Sequence, residues 1–231
     1  MITLINRLAN YVAKQGRIPR RIIEILKSYC WVRVMRFWIF DLTRVDAPWR
    51  KFRKQSESLI RWERATLENC RRWIQSGADG FTSWQGELMI QLIEQEHLVL
   101  VGYIDNSDNS ATQVPDCYAT LAFGHKPMTQ HCSFYMEPNE GTIRTVYTRE
   151  RLRGRGLATK IYAELCCLAK ERGLTKVYVD IDSSNIPSLR AAEKAGGVRM
   201  QDVVVYHFTF RKHIYQVWAQ GSLKNRFGLR K

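Results

Sequence analysis

No stretch of this 231-residue sequence is apolar for long enough to cross a bilayer. The most apolar run, Trp31 to Phe40, is short and is broken by Arg33 and Arg36. No uninterrupted apolar segment follows the first basic residues, so no secretory signal is expected there. Metal-binding patterns are missing as well. The cysteines (Cys30, Cys70, Cys117, Cys132, Cys166, Cys167) form no Cys-x-x-Cys pair and share no ligand spacing with the histidines, so no metal site is expected. They read as reduced thiols of a cytoplasmic protein, one at most peripheral to the inner face of a membrane. Repeats and low-complexity tracts are absent. Acidic residues are scarce at one end only: residues 1–55 hold Glu24, Asp41 and Asp46 against 13 Lys and Arg.

That segment therefore carries +10 of the chain's +14, and the remainder only +4. A basic segment attracts anionic surfaces: acidic lipid, an acidic carrier protein or, less readily, nucleic acid. Leu4, Ile5, Leu8 and Val12, then Ile22, Ile23, Ile25 and Leu26, give two short helices divided by Gly16 and Pro19. Tyr29–Phe40 reads as a third helix, with Arg33 and Arg36 on one face and Trp31, Val34, Phe37 and Trp38 on the rest. Such a helix suits a membrane interface, or packing on a second subunit, including a second copy of the chain. Asp46-Ala47-Pro48 reads as a boundary. The expected division is a basic helical extension over 1–55 and a catalytic domain over 56–231.

From Ser56 onward, helix and strand signals alternate. Strands are expected at Leu59–Arg64, Leu98–Ile104, Tyr118–Phe123, Ser133–Met136, Ile143–Thr148, Val177–Ile181, Val203–Phe210 and Ile214–Trp218. Thr66 caps a helix through Gln75, and further helices are expected at Trp84–Glu94, Leu157–Arg172 and Pro187–Lys194. Between the Ile143 strand and the Leu157 helix lies Arg153-Gly154-Arg155-Gly156-Leu157-Ala158. Amides at a helix N-terminus lack intrahelical acceptors, and small residues let an anion approach them. The segment is a pyrophosphate cradle in the physical sense of a P-loop, with Arg153 and Arg155 adding charge.

Arg153-x-x-Gly156-x-Ala158 resembles the Gln/Arg-x-x-Gly-x-Gly/Ala signature of the GCN5-related N-acetyltransferase (GNAT) superfamily. The resemblance continues past the Leu157 helix in a strand and then Asn185-Ile-Pro-Ser188-Leu-Arg-Ala-Ala-Glu193-Lys194-Ala-Gly196. It is specific over 141–210, follows element order over 57–140 and omits 1–55. It implies an α/β (α+β) fold: a mixed, mostly antiparallel sheet with flanking helices and a V between its fourth and fifth strands. The implied substrate is acetyl-CoA or another acyl-CoA, with transfer of the acyl group to a primary amine of a small molecule or protein. Pantetheine would bond main-chain groups near Val146, Tyr147 and Thr148. Pyrophosphate would sit on Arg153, Gly154, Arg155, Gly156, Leu157, Ala158 and Thr159, with Asn185 and Ser188 flanking the cofactor.

One departure touches the chemistry. Many members carry a tyrosine seven residues after the Asn as general acid, and here that position is Ala192. The fourth strand offers no carboxylate within Thr142–Thr148, so Glu137 and Glu140 just before it are the nearest candidate bases. Asp180 and Asp182, two apart on a strand, face one side and suit capping or amine binding. Two alternatives stand beside the active enzyme. One is a binding module on this scaffold that has lost its acid and base; the other is an enzyme that takes its acyl group from acyl carrier protein through the basic N-terminus.

Overall fold

The computed structural model describes residues 30–56, 60–77, 81, 83–104, 114–123, 133–210, 212–218 and 227–228. The two helices expected within 3–27 lie outside the described residues. In chain order the elements are β1 (Cys30–Asp41), α1 (Pro48–Ser56), β2 (Arg61–Arg64), α2 (Leu67–Gln75) and α3 (Ser83–Glu94). Then come β3 (Leu98–Tyr103), β4 (Cys117–Phe123), β5 (Ser133–Phe134), β6 (Glu140–Thr148) and α4 (Leu157–Glu171). Last are β7 (Lys176–Asp182), α5 (Ile186–Lys194), β8 (Val198–Phe210), β9 (Lys212–Trp218) and β10 (Phe227–Gly228). The main sheet runs β2-β3-β4-β6-β7-β1-β8-β9, and β5 pairs with β10 apart from it. Within the main sheet only β6 and β7 are parallel. This is the mixed, mostly antiparallel architecture expected from the sequence.

The helix expected over Tyr29–Phe40 is corrected: Cys30–Asp41 is a strand, hydrogen-bonded to β7 on one side and β8 on the other. A strand inside a sheet can be covered on both faces, so its apolar residues need not alternate with polar ones. Val32, Val34, Phe37, Trp38, Ile39 and Phe40 are the β-branched and aromatic residues that favour such a place. The spacing of Arg33 and Arg36 imitates a helical face by chance. Phe37 joins the core on one side of the sheet, while Trp38 and Phe40 join the core on the other. These three aromatics thus feed the interior and offer no face to a membrane. Nor is 30–55 an appended helical piece, because α1 lies along α4 with Arg53 reaching Glu164 (3.7 Å) and Glu171 (3.0 Å). Pro48 closes the join: a Cβ on Gly196 would lie 2.7 Å from its Cδ, so the Gly196 turn needs glycine for space as well as for its φ of +94°.

Two cores sandwich the sheet. Helices α1, α4 and α5 cover one face with Ile161, Leu165, Cys166, Ala169 and Leu189. Helices α2 and α3 cover the other with Cys70, Trp73, Met89 and Leu92. Thr66 caps α2 as expected, accepting from the Asn69 amide at 3.2 Å. The buried thiols are inert, since burial pushes Cys70 up to about 11 and Cys117 up to about 12. No helix among the described residues is long and apolar enough to cross a membrane.

Candidate active site

Strands β6 and β7 pair only from Glu140↔Lys176 to Ile143↔Val179. Beyond that point they part, and a bulge is the local cause. On the β4 side, Ala119 opposes Val146 and Leu121 opposes Ile143, so Arg144 and Thr145 share the single residue Thr120. The Thr145 amide donates to Thr120 Oγ1 (3.2 Å), and Thr120 is wholly buried. The bulge bends β6 away from β7 while Val146, Tyr147 and Thr148 stay bonded to β4. Among the described residues, no strand pairs with their β7-facing edge.

The chain leaving this edge turns through a 3-10 turn at Glu150–Leu152 and enters α4. Gly154 (φ +80°) and Gly156 (φ +76°) both take left-handed backbone conformations, and a Cβ on either would meet nothing within 4 Å. Glycine is therefore required here by backbone angle rather than by crowding, and the space over the helix start is open. Gly156 is the N-cap and supplies no side chain to the first-turn amides, which remain available to an anion. Asp116 anchors the loop. Its carboxylate accepts from the Ile104 amide (3.0 Å) and Arg151 (3.2 Å) and lies 3.8 Å from Arg149, while its carbonyl accepts from the Arg149 amide (3.0 Å). Arg153 lies near Glu150 and the Thr148 carbonyl, and Arg155 has no acidic partner among the described residues. Leu157 and Thr159 turn their side chains into the protein, so only their backbone faces the cradle.

Asp180 follows the last β7 residue paired with β6 and pairs in register with Phe37 of β1. Burial pushes its carboxyl up to about 6, against a smaller downward pull from Arg144 across the parting. Asp182 does something different, accepting from the Ser184 amide (2.9 Å) and hydroxyl (2.6 Å) to close the turn before α5. Asn185 caps α5 by accepting from the Ser188 amide (3.3 Å), which sets both residues at the open end of β7.

The sequence-derived bases do not meet this opening. Glu140 lies at the closed end of β6, buried, accepting from Tyr178 Oη (2.9 Å) and the Glu137 amide (3.0 Å). It knits the two strands together, and its candidacy as base is corrected on that ground. Glu137 is exposed on the turn before it. Ala192 is fully buried in the α4/α5 core and so does not face the cleft. Asp180 and the β1 wall beside it are the parts that sequence reasoning undervalues. The available signal is an acid set between the apolar neighbours Val179 and Ile181 toward a strand's C-terminal end.

The acetyltransferase (GNAT) family model matches residues 56–197, more than half of the chain. No curated protein matches the sequence. Among solved structures, an acetyltransferase from the GNAT family of Colwellia psychrerythraea is similar at TM-score 0.51 and 14% identity, covering 82% of this chain and 62% of its own. A GCN5-related N-acetyltransferase-like protein from Streptococcus suis is similar at TM-score 0.51 and 20% identity, covering 81% and 66%. A glucosamine N-acetyltransferase region of a fungal multi-domain β-N-acetylglucosaminidase is similar at TM-score 0.53 and 18% identity, covering 82% of this chain and 22% of that one. The chain thus spans less than two thirds of the length of these three proteins.

Proposed function

Because the chain belongs to the GNAT acetyltransferase family, we propose that it moves an acyl group, most simply acetyl, from CoA to a primary amine. The observation that carries this reading is the continuity of the part of β6 beyond its pairing with β7 with a helix N-terminus that has no side-chain cap. A pantetheine arm bears two amides, and in extended form it bonds an unpaired strand edge as an added strand would. The edge at Val146, Tyr147 and Thr148 suits it. The pyrophosphate then falls on the amides from Gly156 to Thr159, with Arg153, Gly154, Arg155, Leu157 and Ala158 around it and Asn185 and Ser188 flanking.

Asp180 is the base in this reading. The acceptor arrives as an ammonium, gives a proton to the Asp180 carboxylate, and its nitrogen lone pair attacks the thioester carbonyl. The tetrahedral intermediate gives up the second amine proton to solvent and collapses, the carbon–sulfur bond breaks, and CoA leaves as a thiolate protonated from solvent. A carboxylate raised to about 6 is ionised at neutral pH yet basic enough to share a proton usefully. Release of free CoA thiol from acetyl-CoA against a panel of amines tests the proposal. Amine-dependent thiol release is expected; a folded protein that binds acetyl-CoA but releases none with any amine contradicts the catalytic part.

A further inference from the structure

On the α5 side of the sheet, β1, α5 and β8 border an open concavity of about 520 Å³. It has the size of a small-molecule site. Each of the three elements sends in one arginine: Arg36 from β1, Arg190 from α5 and Arg199 from β8. The heads of Arg36 and Arg199 converge on one carboxylate, Asp202, at 3.8 and 2.8 Å. Arg190 has no acidic partner among the described residues. With Glu193 also on the rim, three positive groups and one negative one line the groove.

Its polar groups are also unfinished. Trp38, 7% exposed, lines the groove, and its indole N–H finds no acceptor among the described residues. Arg36 Nε is buried there without a hydrogen bond too, 3.8 Å from Asp202 Oδ1. Buried donors left unpaired cost about 1–3 kcal/mol each, so two at one place point to a missing acceptor. Water can accept from these groups but brings no charge to balance the arginines. The rim is apolar besides: Ile186 is 45% and Val198 51% exposed, large aliphatic side chains beside the cations. The 29 residues ahead of β1 are a poor match for the groove, since they carry six Lys and Arg and a single acid, Glu24.

We propose that the groove between β1, α5 and β8 binds a small organic oxyanion with an apolar body, a carboxylate or a phosphate ester. Arginine forks meet either headgroup with paired hydrogen bonds, while Trp38, Ile186 and Val198 cover the body. The site is separate from the CoA cleft and does not depend on the acyltransfer reading.

The test is a ¹H–¹⁵N titration that follows the Trp38 indole signal, assigned with Trp38→Phe, as benzoate, phenyl phosphate or neutral benzyl alcohol is added. The Ile186 and Val198 methyl signals give the same reading without that variant. Saturable shifts are expected with at least one oxyanion, at millimolar affinity or tighter, and the tighter of the two identifies the headgroup. Arg190→Ala should weaken binding at least about fivefold and Arg190→Lys should restore part of it. Saturating CoA should leave the shifts in place. The proposal is overturned if neither oxyanion saturates, if benzyl alcohol acts equally, if Arg190→Ala changes nothing, or if CoA abolishes the shifts.

Discussion

In the proposed reaction Asp180 carries the most chemistry of any single residue, and the upward push that burial gives its carboxyl has a consequence that can be measured. Its folded value, about 6, lies above the ordinary carboxylate value of 3.8, so the folded state holds the proton more tightly than the unfolded chain does. The stability this gives is complete below about pH 4 and is lost as pH rises through about 6. Asp180→Asn should therefore leave thermal stability at pH 7 unchanged or raised while kcat falls by about a hundredfold or more. The acidic limb of the rate profile, near pH 6 in the native protein, should vanish with it. Melting curves and pH–rate profiles of the two proteins check both halves. Ala192 is the complementary case. At 0% exposure it has no room for a ring, so Ala192→Tyr should destabilise by about 1–3 kcal/mol and give no gain in turnover. Denaturant unfolding reads the first outcome and thiol release the second.

The elements differ in how far the sequence discloses them. Helix α4 and its glycine turn are legible because one short stretch fixes everything needed: backbone angles at Gly154 and Gly156, an uncapped helix start, an apolar face behind it. The opening of β6 from β7 is not local. It depends on a bulge defined by register against Thr120 on another strand, and no spacing within Thr142–Thr148 encodes that. Strand β1 is hidden for a related reason: a strand buried on both faces loses its alternation, and its partners lie more than a hundred residues away in sequence. Glu140 misleads because nearness in sequence to β6 says nothing about which end of the strand faces the cleft. If β1 is as integral as its pairing implies, Phe40→Ala should cost about 3–5 kcal/mol, as for any fully buried aromatic. Truncation to residue 56 should remove the bridge between β7 and β8 and abolish cooperative unfolding. A truncated protein that melts cooperatively near the native temperature would contradict this.

At the scale of the whole molecule, the region matched by the family model, 56–197, is not the whole of what the sheet requires. Strand β1 joins β7 to β8, and helix α1 with Pro48 braces α4 and the Gly196 turn. Phe37, the register partner of Asp180, and the groove residues Arg36 and Trp38 all come from this earlier segment. The proposed CoA site, however, lies on the other side of β7, where β6 beyond its pairing with β7 meets the start of α4. Calorimetric titration of CoA into the full chain, beside Arg155→Glu, tests it most directly. Arg155 is exposed and has no acidic partner among the described residues, so its reversal should not disturb folding. The account predicts saturable one-to-one binding to the native protein, weakened by at least about tenfold, or about 1.4 kcal/mol, in the variant. Equal CoA affinity in the two folded proteins, or none in the native one, would contradict it.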